Sequence, residues 1–384
     1  MKNKILLGIM ISLSSLMLTG CWDNVEINER HVVLEVAIDK GNEDNLEANI
    51  QDRDYYQVTY MIPDIGKLSG ENSLAENVKT PIIAKSPTIA KSVDDIESKT
   101  QNTLSFTHTK ALIFGEELIK DKKLFRSALD SLIRNKQISR GTNILAVQGN
   151  AGDIVQSDNY QNPMIGLYIM KYFNNTERGT SHAKQQVLGN MVKEIQNTNI
   201  TTIPEIEINE EGTLKIDGAA VIKDYELVGW LDEDEVRGEL FIDGRVYKVP
   251  TIVEYQGEYL TYDINQQKRT INFKDEDKLQ AIIKIIVKGN ITEYNSSKNQ
   301  YVFDEKKIAE ISKLIEEQIK NQMQKTINTS KTMNTDFLNI GLELYRKHPK
   351  LWEKYKQNWD VDEYKKLPIQ IDVEVIVQNT GTVE

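Results

Sequence analysis

Apolar residues along this chain alternate between two periods, and the switches mark the elements. Val32 to Ile38 and Tyr56 to Ile62 are β-branched and alternating, which predicts two strands, the second closed by Pro63. Ser86-Pro87 predicts a helix start, and Ile89, Val93 and Ile96 then share one helical face as far as about Lys99. Lys110 to Phe114 predicts a short buried strand ending at Gly115. Helices at about Glu116 to Asp121 and Lys123 to Asn135 follow, the second with Leu124, Phe125, Ala128, Leu129, Leu132 and Ile133 as its core stripe. Thr142 to Val147 again predicts a strand. Ala151 to Gln156, Met164 to Tyr172 and Ala183 to Gln196 predict helices, with a polar loop from Asn174 to Ser181.

From Leu214 to Glu293 the texture changes to short strands punctuated by Asp217-Gly218, Asp243-Gly244, Gln256-Gly257 and Gly289-Asn290, an antiparallel meander interrupted by a helical turn near Leu231 to Val236. Asp304 then caps a long helix whose Ile308, Ile311, Ile315, Ile319, Met323 and Ile327 keep helical spacing. A second helix is predicted at about Thr335 to Arg346, broken at His348-Pro349, then a short aromatic helix with Trp352, Tyr355 and Trp359. Ile369, Ile371, Val373, Val375 and Val377 alternate as a final strand. Strands and helices are segregated after residue 200. The fold class expected is therefore α+β: a multi-domain, mixed α/β ectodomain with an antiparallel β-meander and long amphipathic helices in its C-terminal half.

The N-terminal segment follows a different logic. Lys2 and Lys4 precede an apolar run from Ile5 to Leu18 broken only by Ser12, Ser14 and Ser15. That run is short of the roughly 20 apolar residues a membrane-spanning helix needs, and it has the length and flanks of a signal-peptide core. It ends in Leu18-Thr19-Gly20-Cys21, which resembles the bacterial lipobox; Cys21 is the single cysteine of the chain. The resemblance implies cleavage after Gly20 and an S-diacylglyceryl group on Cys21, with N-acylation as a further step. The alternative is a cleaved secretory signal with an incidental free thiol. Two acyl chains supply the two lipid signals that stable anchoring needs. No later stretch reaches spanning length, so the body is expected outside the bilayer on the outer face.

Removing residues 1–20 leaves 364 of the 384, too long for one ordinary core. The expected division is 21–205 and 206–384, the latter possibly split again near 295–300. The net charge is −11, and about −13 once Lys2 and Lys4 are gone. Such a body argues against nucleic acid as a partner and against broad docking on anionic lipid. With one cysteine there is no intramolecular disulfide, so packing alone supplies stability.

The search for reactive constellations is short. His31, His108, His182 and His348 are far apart and none has a second ligand at metal-site spacing, so four separate polar side chains are expected. Ser181-His182-Ala183-Lys184 matches S-x-x-K, but neither S-D-N nor K-T-G accompanies it, and Ser181 is read as the cap of the helix from Ala183. No nucleophile elbow, P-loop, dinucleotide fingerprint or H-E-x-x-H is present. Asp232-Glu233-Asp234-Glu235 lacks the ligand spacing and central Gly of a calcium loop and is read as a solvated acidic turn. Trp230, Trp352 and Trp359 lie on apolar faces and are read as core packing. Nothing assembles an acid, a base and a nucleophile, so neither catalytic residues nor a cofactor is expected.

Three blocks in order carry a family resemblance. The first is Gly20-Cys21-Trp22-Asp23-Asn24-Val25-Glu26-Ile27-Asn28-Glu29-Arg30. The second is Ile216-Asp217-Gly218-Ala219-Ala220-Val221 with Leu227-Val228-Gly229-Trp230-Leu231 and Val236-Arg237-Gly238. The third is Asp336-Phe337-Leu338, Gly341, Tyr345-Arg346-Lys347-His348-Pro349, Trp352, Trp359 and Thr380-Gly381. Together they resemble the Ger(x)C lipoproteins, C subunits of spore nutrient-germinant receptors. The resemblance implies structural signature roles for Trp22, Asp23, Glu26, Arg30, Gly218, Gly229, Trp230, Gly341, Pro349, Trp352 and Trp359. It implies a non-enzymatic, lipid-anchored subunit on the outer face of the spore inner membrane, with a receptor A subunit and a transporter-like B subunit as partners and no known cofactor. The chain departs from the family where Asn135 and Gln137 stand in place of expected acidic residues, which removes a charge pair but not the helix.

Two other functions compete. A solute-binding lipoprotein of a transporter usually shows two lobes of βα units, which the segregated C-terminal half disfavours. A cell-wall enzyme would release peptidoglycan fragments. The anchor itself makes a direct prediction: Cys21→Ala abolishes incorporation of labelled fatty acid into the protein, and labelling that persists in this variant contradicts the assignment.

Overall fold

A computed structural model describes residues 30–41, 55–64, 78–158, 163–175, 182–294 and 304–380. The signal segment, Cys21, Trp22, Asp23, Glu26 and Ser181 lie outside the described residues.

The first unit is built on an eight-stranded sheet in the order β10-β9-β8-β7-β6-β2-β3-β4. Its centre is parallel: β2 (Glu35–Lys40), β6 (Ala111–Gly115), β7 (Asn143–Val147) and β8 (Ile200–Ile208) run the same way. Every residue of β6 and β7 is buried, as expected of strands covered on both faces. Antiparallel strands flank them, β3 (Tyr56–Pro63) and β4 (Lys79–Ser86) on one side, β9 (Leu214–Lys223) and β10 (Glu226–Leu231) on the other. The single strand expected from Val32 to Ile38 is two. β1 (Arg30–Val32) pairs in parallel with β5 (Thr103–Ser105), and the chain then changes partners: Val33 N–H donates to Ser105 and Leu34 N–H to Met61.

Helices cover both faces. On one lie α1 (Ile89–Glu97), α2 (Glu116–Lys120) and α3 (Lys122–Arg134), with Phe125 edge-on to Phe114 at 5.2 Å. On the other lie α4 (Ala151–Gln156) and α5 (Ile165–Asn174). Thr88, not Ser86, caps α1, because Ser86 is still paired in β4. Ile133 leaves the expected stripe of α3 and is 39% exposed. Buried Glu35, on β2, faces the Ile165 and Gly166 amides at the start of α5 without a well-formed hydrogen bond to a described residue, and burial pushes its carboxyl up to about 8.

The helix expected from Ala183 starts later, as α6 (Leu188–Thr198). Residues 183–187 are extended because the mouth of β7 takes their hydrogen bonds: Ile144 N–H donates to Gln186, Leu188 N–H to Thr142, and Val187 bridges Asn143. The helix expected to take Ser181 as its cap therefore does not begin at Ala183. The expected boundary at 205/206 falls inside β8, and β8 to β10 extend the first sheet as far as Leu231.

The helical turn expected near 231–236 is a full helix, α7 (Glu233–Asp243). The acidic run Asp232 to Glu235 is its capping box, with Asp232 accepting from Glu235 N–H and Glu235 from Asp232 N–H, both at 2.9 Å. Asp243-Gly244 is its C-terminal cap, Gly244 at φ 72°.

A second, four-stranded sheet follows in the order β11-β12-β13-β14. β11 (Val249–Tyr255), β12 (Glu258–Asp275) and β13 (Leu279–Tyr294) form the expected antiparallel meander, though β12 and β13 are 18 and 16 residues long rather than short. Gln256-Gly257 is a true hairpin turn, both residues at positive φ. Asp217-Gly218 and Gly289-Asn290 are not turns but lie inside β9 and β13. Gly289 sits at a register shift so close to β12 that an added Cβ would stand 2.0 Å from the Asp263 carbonyl oxygen. β14 (Ile369–Asn379) closes the sheet in parallel with β13.

Asp304 caps α8 (Glu305–Thr332), whose Ile311, Ile315, Ile319, Met323 and Ile327 are buried against the second sheet and α7. At the crossing of α7 and α8, Gly238 allows backbone approach: a Cβ there would lie 2.6 Å from the Gln322 carbonyl oxygen. After α8 come α9 (Ile340–Lys347), α10 (Pro349–Tyr355), a 3₁₀ turn (Lys356–Asn358), a π turn (Trp359–Glu363) and α11 (Tyr364–Lys366).

Candidate functional site at the junction of the two sheets

The third sequence block folds around one carboxylate. α8 ends at Thr332, and residues 333–339 turn the chain, with Asn334 and Asn339 at positive φ. The turn aims Asp336 at the start of α9, where it accepts from Ile340 N–H at 2.9 Å and Gly341 N–H at 2.7 Å. The Trp359 indole N–H completes the set at 3.0 Å. Burial pushes the Asp336 carboxyl up to about 7, against the pull of these three donors.

Gly341 is required here. A Cβ on it would stand 2.6 Å from Trp359 Nε1 and 3.1 Å from Trp352 Cζ3. The two indoles pack edge to face at 5.2 Å, and Trp359 leans on Tyr364 at 5.8 Å. The Tyr364 hydroxyl and Ser330 Oγ are 2.5 Å apart, which ties the aromatic group back to α8. Pro349 occupies the first turn of α10 and places Trp352 one turn later.

Of the signature residues, the fold brings together Gly341, Trp352 and Trp359, with Pro349 orienting them. Gly229 joins the same neighbourhood: it sits at a bulge of β10, where a Cβ would meet Met333 Cε at 2.4 Å. Trp230 packs against the first core. Gly218, at φ 75°, lets β9 pass the Leu231 carbonyl at a distance that would leave a Cβ only 2.8 Å away. Arg30 is elsewhere, on β1 opposite Thr103.

Between this aromatic group and the first sheet lies a cleft of about 490 Å³, lined by Asn197, Asn199, Asp336, Tyr345, Arg346, Trp352, Trp359 and Asp360 among others. A charged recess of about 230 Å³ adjoins it, sharing Asn197, Thr198, Leu342 and Arg346 and adding Lys193, Glu194, Asp243, Arg245, Arg269 and Glu343. Beneath the recess, Lys184 is buried between Glu239 at 2.6 Å and Asp243 at 2.9 Å, and the Thr202 hydroxyl donates to the same Glu239 oxygen at 2.9 Å. Burial alone would lower the Lys184 ammonium, but the two carboxylates outweigh it and hold the group above its usual range. The lysine of the S-x-x-K match is thus an ion-pair partner.

Sequence reasoning missed Asp336, Glu239 and Asp243. Asp336 stood in the third block, but the helix expected from Thr335 hid its role as a cap for a helix that begins at Ile340. Glu239 lies 55 positions from Lys184, and no local spacing reveals such a pair.

These groups favour recognition and packing over reaction: Asp336 has its oxygens engaged by three donors and Lys184 by two carboxylates. Among the described residues no group of three or more His, Cys, Asp and Glu side chains is placed to hold a metal ion, and no helix is long and apolar enough to cross a membrane.

The fold and the junction define a two-sheet α+β body in which Gly341, Trp352 and Trp359 gather around Asp336. Comparison with known proteins matches this class. The description "Spore germination protein N-terminal domain" fits residues 23–208, and "Spore germination B3/GerAC like, C-terminal" fits residues 217–381. The chain belongs to this spore germination family, the Ger(x)C family. It is 24% identical to spore germination protein KC of Bacillus subtilis over 99% of this chain and 97% of that one, and 24% identical to spore germination protein B3 of the same organism over 96% of each. Spore germination protein A3, also of Bacillus subtilis, is 23% identical over 96% of each. A crystal structure of the GerBC protein shares the fold, with a TM-score of 0.61 at 22% identity, covering 90% of this chain and 97% of that one.

Gly341→Val drives a side chain into both indoles. It is expected to shift tryptophan emission to the red and to lower stability by about 1–3 kcal/mol in denaturant titration. Unchanged emission and midpoint contradict this packing.

Proposed function

We propose that this chain is the lipid-anchored, non-catalytic C subunit of a spore nutrient-germinant receptor. In this reading Cys21 holds it on the outer face of the spore inner membrane, and it supports receptor assembly and the germinant response through contacts with the A and B subunits. The observation that carries the reading is the extent of the match: both units, and nearly the full length, align with spore germination proteins. Two further points support it. Gly341, Trp352 and Trp359 pack together at the junction, and the charged groups there are committed to hydrogen bonds and ion pairs rather than poised for chemistry.

One observation favours a second reading, a solute-binding lipoprotein of a transporter. The junction cleft carries aromatic faces, carboxylates and Arg346 together. A multi-degree melting shift with one amino acid or sugar, and none with its close analogues, would favour it.

Deleting the gene is expected to slow nutrient-triggered germination of spores without blocking sporulation. Restoring the unaltered gene recovers the rate and restoring Cys21→Ala does not. Normal germination with every nutrient, in a strain without a paralogue, contradicts the receptor reading.

A further inference from the structure

The charge of this chain is unevenly placed. β2, β6 and β7 all begin at one end of the first sheet, and the segments gathered there are β1, β5, the loop before β6 and the loop before β7. Hydrogen bonds join them into one surface. Leu104 N–H donates to Glu97 at the end of α1, Phe106 N–H donates to Gln137 after α3, and Thr109 Oγ1 donates to Val33. This end carries Arg30, Lys99, Arg134, Lys136 and Arg140, with His31 and His108 beside them.

Four carboxylates lie in these same segments and the helix ends that feed them, and all are engaged: Glu97 by the Leu104 amide, Asp130 by Arg134, and Asp94 and Asp95 by Lys91. Lys99 and Arg134 follow or end helices, where cations complement the helix dipole, so they have a local reason to be there. Arg30, Lys136 and Arg140 have no such reason and no carboxylate partner among the described residues. Beyond these segments, Asp64, which has a partner of its own, and the Asp224-to-Glu226 turn beyond β8 stand at the same end of the sheet, and Asp360 approaches Lys223 at 3.9 Å. Three cations without a carboxylate partner among the described residues thus cluster at one end of a chain whose net charge is −11.

The tether leads to the same place. Arg30 lies nine positions after Cys21, and nine residues span at most about 30 Å when fully extended. A body anchored at Cys21 is therefore held by its basic end, within reach of the headgroups, while an anionic surface repels the rest of it.

We propose that this end of the first unit, formed by β1, β5 and the loops before β6 and β7, is a membrane-facing surface that docks on anionic phospholipid headgroups. It rests on the reading of Cys21 as the anchor. It fixes the orientation of the molecule: the β8–β9 turn, at the opposite end of the first sheet, points away from the bilayer.

The test uses the lipidated full-length protein in vesicles. Cys21 is the only native cysteine and is consumed by the lipid, so an introduced thiol takes a single fluorophore. Labels go on exposed Gln101→Cys at the basic end and exposed Glu210→Cys in the β8–β9 turn, with a nitroxide quencher on the lipid headgroups. In phosphatidylglycerol vesicles the label at 101 is expected to be quenched at least about twofold more than the label at 210. That difference shrinks in phosphatidylcholine vesicles, in about 0.5 M salt, and in Lys136→Glu with Arg140→Glu. Equal quenching at both labels, or a difference that ignores lipid charge and charge reversal alike, overturns the proposal. Vesicle flotation reads the anchor separately. Protein that floats but quenches both labels equally overturns the docking surface alone. Protein that fails to float overturns the anchor and the docking surface with it.

Discussion

Lys184 is buried between Glu239 and Asp243, and the relation of the two sheets depends on that contact. An ammonium taken out of water is costly unless paired, and here both partners come from α7, the helix between the sheets. The extended segment before α6 carries the lysine, the first sheet adds the Thr202 hydroxyl, and α7 supplies the carboxylates. α7 is in turn clamped by α8, with Thr326 Oγ1 donating to the Glu235 carbonyl at 2.8 Å and Gly238 leaving room for the crossing. Once α8 is placed, its C-terminal turn delivers Asp336 to α9, and Asp336 gathers Gly341 and Trp359. The junction cleft is the space left between this chain of contacts and the first sheet.

How much of this was legible follows from how each element is buried. α3 and α8 have one wet face, so their apolar stripes show at helical spacing. β6, and β7 after Asn143, are apolar because helices cover both sides. α7 is different: Val236, Leu240, Phe241 and Ile242 are buried and so is Glu239, and only Glu233, Asp234, Arg237 and Asp243 reach solvent, too few to mark a clear polar face. Glycines misled for a related reason. Gly218 and Gly289 look like turn punctuation, yet each serves a strand at a point where another backbone comes too close for a Cβ. The extended run 183–187 looked helical because its extension is imposed by β7, which lies some forty residues earlier.

The site divides along the same line. The third block identified Gly341, Trp352 and Trp359, and the structure supplies their shared reason, which is the crowding of two indoles and one carboxylate around a position that admits only hydrogen. The buried ion pair could not be read, because its members are distant in sequence. Net charge hid the surface polarity as well: a value of −11 says nothing about a cluster of cations collected at one end of a sheet from residues 30, 99, 134, 136 and 140.

A junction held in this way suits the proposed role, in which the subunit is tethered at one end and meets other proteins elsewhere. The claim that the junction is fixed rests on Lys184, and equilibrium unfolding of Lys184→Met beside the unaltered chain tests it most directly, followed by tryptophan fluorescence and by far-ultraviolet circular dichroism. The unaltered chain is expected to unfold with coincident transitions by both probes. The variant, which leaves Glu239 buried without a counter-charge and Asp243 with only Arg245 at 3.9 Å, is expected to lose about 3–5 kcal/mol and to separate the two transitions. Probe curves that already diverge in the unaltered chain, or a variant with the same midpoint as the parent, would contradict the account.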